Sequence, residues 1–129
     1  MINYIVFMKK LIIITILLMS LNSCYDRIKI DRHKITLDGD AQEVVIEANT
    51  GIFSIYVDCD ERVQYDNINT IYTTTAKGSW FEITVDENAS RRKAKVVVSK
   101  NDSGDKRKIR VSFSDSKYDA YCTIIQNPL

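Results

Sequence analysis

The sequence is poor in the residues on which most active-site chemistry depends. It has one histidine, His33, in 129 residues. A histidine-based metal site or a Ser-His-Asp triad would have to be built around that single ring. Its neighbours Arg32 and Lys34 disfavour a bound cation. The four glycines stand far apart, so no glycine-rich loop exists to wrap a phosphate. No charge surplus is present either: 18 basic residues face 17 acidic ones. A nucleic-acid binder would show a basic excess on one face. The runs Arg91-Arg92-Lys93 and Lys106-Arg107-Lys108 sit beside acids and read as solvated strand ends. The chain is therefore expected to hold no metal and no cofactor, to bind no nucleic acid and to be no enzyme.

What the sequence does have begins at its N-terminus. Lys9 and Lys10 precede an uncharged apolar run from Leu11 to Met19, closed by Ser20-Leu21-Asn22-Ser23-Cys24. A basic region, an apolar stretch of about 7–15 residues and a small residue before the cut mark a secretory signal. A spanning helix needs about 20 apolar residues, and the run from Leu11 to Met19 holds nine. Leu21-Asn22-Ser23-Cys24 resembles the lipobox of bacterial lipoproteins, which implies cleavage before Cys24 and lipid on its sulfur. The other reading is an ordinary secretory cut with Cys24 as a spare thiol. One acyl chain anchors weakly and several anchor stably. Residues 1–23 thus read as a lipoprotein signal, and residues 24–32 as the acylated cysteine and a short tether.

The remaining chain has the period of β-structure. Phe53, Ile55, Val57 and Cys59 alternate with Ser54, Tyr56 and Asp58; Ala94, Val96 and Val98 alternate with lysines 93 and 95; Ile109, Val111 and Phe113 alternate with Lys108, Arg110 and Ser112. Trp80 to Val85 and Ala120 to Gln126 are further strands, and turn sequences fall every 8–12 residues or so. The expectation is an all-β, immunoglobulin-like antiparallel sandwich of about seven or eight strands.

Cys59 and Cys122 each share a face with apolar neighbours. They form a disulfide in an oxidising compartment or stand as two separate buried thiols. The five tyrosines Tyr56, Tyr65, Tyr72, Tyr118 and Tyr121 are the candidate ligand-binding residues. Tyr56 and Tyr121 fall opposite the inward faces, where they also fit a cross-strand pair covering the sheet.

A family pattern runs through the C-terminal half: Trp80-Phe81-Glu82-Ile83-Thr84-Val85, then Arg92 to Ser99, Asn101, Arg107-Lys108-Ile109-Arg110-Val111 and Thr123-Ile124-Ile125-Gln126. It resembles the BACON domain, an immunoglobulin-like sandwich common in Bacteroidetes, over residues 33–127. The resemblance implies that Trp80 serves the core and that the protein is an outer-membrane lipoprotein, on the periplasmic face or the cell surface. It also implies a non-catalytic module for carbohydrate or mucin glycans. The alternative is a structural or assembly lipoprotein of the envelope that contacts a protein partner.

Overall fold

The computed structural model describes residues 2–22, 26–66 and 72–129, with side chains from residue 3 to 14 in the first stretch. Helix α1 covers Ile2–Asn22. Its side chains from Tyr4 to Ile14 are mostly apolar and exposed, so this part of the helix has no core of its own. Among the described residues no helix is long and apolar enough to cross a membrane. Cys24 lies outside the described residues.

Among the described residues nine strands follow: β1 (Lys34–Leu37), β2 (Gln42–Glu47), β3 (Ser54–Asp58), β4 (Gln64–Tyr65), β5 (Thr75–Lys77), β6 (Phe81–Val85), β7 (Lys93–Val98), β8 (Arg107–Ser114) and β9 (Asp119–Gln126). They make two sheets, one in the order β1-β9-β8-β3 and one in the order β2-β7-β6-β5-β4. All pairings are antiparallel except β1 with β9, where Lys34 stands beside Thr123 and Leu37 beside Gln126 in parallel. The fold is an immunoglobulin-like sandwich. Period-two burial is the reason: β7 reads exposed-buried three times over, and β8 turns Ile109, Val111 and Phe113 inward. These side chains meet Ile46, Ile83, Val96 and Val98 of the other sheet in a core of aliphatic residues and phenylalanine.

Two ends close the sandwich. At the upper end, Asn101 and Gln126 are fully buried polar residues. Gln126 Nε2 donates to the Ser99 carbonyl at 2.9 Å and the Asp40 carbonyl at 3.3 Å. Asn101 Nδ2 donates to the Asp105 carbonyl at 2.8 Å, while its Oδ1 accepts from the Ser103 hydroxyl at 2.6 Å. These bonds satisfy the Asn101 side chain and Gln126 Nε2, as buried polar groups require, while Gln126 Oε1 is buried without a partner among the described residues. At the lower end, Ile52 N–H donates to the Arg91 carbonyl and Phe53 N–H to the Ser114 carbonyl, each at 2.7 Å.

The expected tether is corrected from Arg27 onward. Ile28 and Ile30 are buried members of the core, and Ile30 bridges Ala48. Ile28 N–H donates to the buried Asp115 carboxylate at 3.0 Å, and Lys29 N–H to Asn49 Oδ1 at 2.7 Å. Asp31 N–H donates to the Glu47 carbonyl at 2.9 Å. The folded domain therefore starts about six residues earlier than the charge pattern suggests.

Of the two readings for Cys59 and Cys122, the structure has the separate thiols and no disulfide between them. Val57 of β3 and Cys122 of β9 both stand opposite Val111 of β8. The two outer strands are then about 9–10 Å apart, beyond the about 7 Å between Cα atoms that a disulfide can span. Burial pushes the Cys122 thiol up to about 11, with the negative charge of Asp31 adding to the effect.

Candidate functional site

The outer face of the β3-β8-β9 sheet carries the best-formed aromatic site. Ser112 of β8 is the register partner of Tyr56 on one side and of Tyr121 on the other. The same register places Asp58 opposite Arg110, and Ser114 between Ser54 and Asp119. Two tyrosines thus rise on either side of a serine floor, their Cα atoms about 9–10 Å apart. They bound a groove of about 260 Å³ lined by Tyr56, Asp58, Arg110, Ser112, Asp119 and Tyr121. Tyr56 is 61% exposed and Tyr121 is 43% exposed.

Each wall is held from behind or beside. The Tyr56 ring lies parallel to Tyr65, with centroids 6.3 Å apart and an interplanar angle of 10°. The Arg110 guanidinium sits 4.1 Å from the centre of the Tyr121 ring, a distance at which a cation is attracted by the π face. The groove thus combines an apolar ring face, a guanidinium and two carboxylates. The charge is slightly acidic, with Asp58 and Asp119 against Arg110. These carboxylates stand two strands and four residues apart, about 17 Å between Cα atoms. Among the described residues no three His, Cys, Asp or Glu side chains gather in a way that could hold a metal ion.

The other tyrosines lie elsewhere. Tyr65 is half-buried, and its hydroxyl accepts from the Val57 N–H at 3.0 Å. Burial holds its pKa above the usual 10.0 against the opposing effect of that hydrogen bond. Its contribution to the site is to back Tyr56. Tyr72 packs on Phe53 with centroids 4.3 Å apart and faces Arg91. Tyr118 lies under the Arg27 guanidinium at 4.5 Å. Both belong to the lower end. Trp80 packs against the rim of the core rather than inside it. The edge of Phe81 and the guanidinium of Arg107 cover its ring. A shallow hollow of about 350 Å³ runs beside it, floored by Gly78, Ser79, Val97 and Val98.

Asp58, Arg110, Ser112 and Asp119 were not singled out by sequence reasoning. The alternation along residues 108–113 does turn Arg110 and Ser112 outward. Only the strand order shows that Ser112 lies between the two tyrosines.

No protein-family model matches the chain, and no curated protein does. Solved structures do resemble it. One is the NMR structure of a protein from Bacteroides thetaiotaomicron, with a TM-score of 0.56 and 10% identity over 81% of this chain and 90% of that one. Another is the Bacteroides ovatus GH5 xyloglucanase in complex with a XXXG heptasaccharide, with a TM-score of 0.50 and 13% identity over 79% of this chain. The match takes in 19% of the xyloglucanase chain, so the likeness is to a minor part of that enzyme. At these identities the likeness is one of fold: the chain has the β-rich fold of Bacteroides proteins.

Proposed function

We propose that the protein is a lipid-anchored, non-catalytic binding module of the BACON type, held in the outer membrane through Cys24, that takes a carbohydrate chain on the β3-β8-β9 face. The observation that carries the reading is the row Tyr56–Ser112–Tyr121, two exposed aromatic walls on either side of a short floor. The groove, at about 260 Å³, falls just below the range of about 300–1,000 Å³ that encloses a small molecule. It is open along β8, which suits a segment of a longer chain. The fold shared with part of a xyloglucanase chain supports a carbohydrate setting.

Affinity electrophoresis of residues 26–129 in gels containing neutral plant polysaccharides or mucin glycans tests this reading. Retardation by at least one glycan is expected, lost in Tyr56→Ala and in Tyr121→Ala and kept in Tyr72→Ala. Migration unchanged across the panel would overturn the carbohydrate reading and turn the search to a protein partner in the envelope.

A further inference from the structure

From the position at which the fold begins, we infer that the sandwich stands upright on the lipid surface, its lower end against the headgroups and the tyrosine groove opening sideways just above them. The inference rests on the proposed anchoring at Cys24. It concerns orientation, which that proposal leaves open.

The chain is fixed to the domain from Arg27. The Asn49 side chain donates to the Arg27 carbonyl at 3.0 Å, and the Arg27 guanidinium covers Tyr118. Ile28 is 4% exposed and is tied to Asp115 through its amide. Two residues, Tyr25 and Asp26, separate Arg27 from Cys24. Fully extended, the three steps from Cys24 to Arg27 span about 10 Å at most. A lipid on Cys24 therefore brings the loops beside Arg27 to the bilayer: residues 49–52, 86–92 and 115–118. Their shared location follows from the bonds between them, Lys29 to Asn49, Ile52 to Arg91 and Phe53 to Ser114. Strand β8, eight residues long, sets the height of the domain at about 26 Å. The loop of residues 99–106 then lies beyond the reach of the headgroups.

The lower end has the composition of an interfacial surface. Arg27, Lys29, Arg92 and Lys117 are exposed there, together with Tyr72 and Tyr118. Long cationic side chains with apolar stems and amphipathic rings settle at the headgroup level. Asp26, Asp86 and Asp119 are exposed there as well, and Glu87 is paired with Arg91 at 3.2 Å. Tyr121 lies three residues along β9 from Tyr118, about 10 Å higher. The groove therefore opens parallel to the bilayer, and its ligand lies along the surface.

The test uses the full-length chain, matured in a bacterial envelope and reconstituted into phosphatidylethanolamine–phosphatidylglycerol vesicles that carry a nickel-chelating headgroup lipid. A nitroxide is placed at Lys117→Cys or at Asp102→Cys in a chain with Cys59→Ser and Cys122→Ala. Strong nickel-induced relaxation is expected at position 117 and none at position 102. Inserting a flexible Gly/Ser segment between Asp26 and Arg27 should lower the relaxation at 117. Equal relaxation at both positions would overturn the upright orientation, because the domain would then swing freely. Failure of the anchoring itself reads differently: the protein would not float with the vesicles, and Cys24→Ala would behave like the unaltered chain.

Discussion

The Val57 amide, on the open edge of β3, donates to the Tyr65 hydroxyl at 3.0 Å. The hydroxyl thereby occupies an edge position where another strand could add. Tyr65→Phe keeps the ring behind Tyr56 and removes the bond. The expected cost is about 1 kcal/mol, read as a lower urea midpoint with an unchanged slope. A concentration-dependent dimer should also appear in sedimentation, since the β3 edge is now open.

Alkaline pH should weaken the fold. The folded-state pKa of Cys122 is raised from 9.0 to about 11, chiefly by burial, and that of Tyr65 is raised above 10.0, also chiefly by burial. In both cases the unfolded chain releases its proton at lower pH than the folded one. The contribution of Cys122 is thus complete below about pH 9 and is lost as pH rises through about 11, and that of Tyr65 is lost on the alkaline side of 10.0. Urea midpoints measured from neutral pH upward should fall across that window. The fall should be shallower in Cys122→Ala, and an unchanged profile in that variant would count against the assignment.

The segment before β1 should matter for stability. Ile28 and Ile30 are 4% and 6% exposed, and burying such a side chain is worth about 1.5–3 kcal/mol. A chain beginning at His33 should therefore be less stable than one beginning at Asp26 by about 3–6 kcal/mol. Urea unfolding of the two purified fragments measures the difference directly.

Filling the groove should separate binding from folding. Ser112 is half-buried on the outer face, so Ser112→Tyr adds a ring between Tyr56 and Tyr121 without touching the core. Stability should stay within about 0.5 kcal/mol of the unaltered chain, while retardation by the bound glycan disappears.

At the upper end, Asn101→Ala should cost about 1–3 kcal/mol. It leaves the Ser103 amide, which donates to Asn101 Oδ1 at 3.2 Å, and the Asp105 carbonyl without that partner. Thermal unfolding should show the loss, with glycan binding unchanged because the groove lies on another face.

Much of this architecture is legible in the residue order, because alternation in a half-buried strand is enforced by the pleat itself. The expected strands around residues 53–59, 80–85, 93–98, 108–113 and 120–126 correspond to β3 and β6 to β9. Strands β4 and β5 have two and three residues, too few to display a period. Ile28 and Ile30 did alternate with Arg27, Lys29 and Asp31, but the charges around them suggested a solvated tether. The outward positions of Tyr56 and Tyr121 could be read from their strands. Their meeting across Ser112 could not, because it depends on which strands are neighbours. The same gap explains Cys59 and Cys122: a shared inward face says nothing about the strand that lies between.

The parallel pairing of β1 with β9 joins Lys34 to Thr123, nearly the whole domain apart in sequence. Strand β9 lies between β1 and β8, so the first strand finds no seat in its sheet until the last one has arrived. Closing so long a loop is slow. A chain without β9 is consequently an open one, lacking the middle of that sheet. Removal of residues 123–129 would leave β1 without a neighbour.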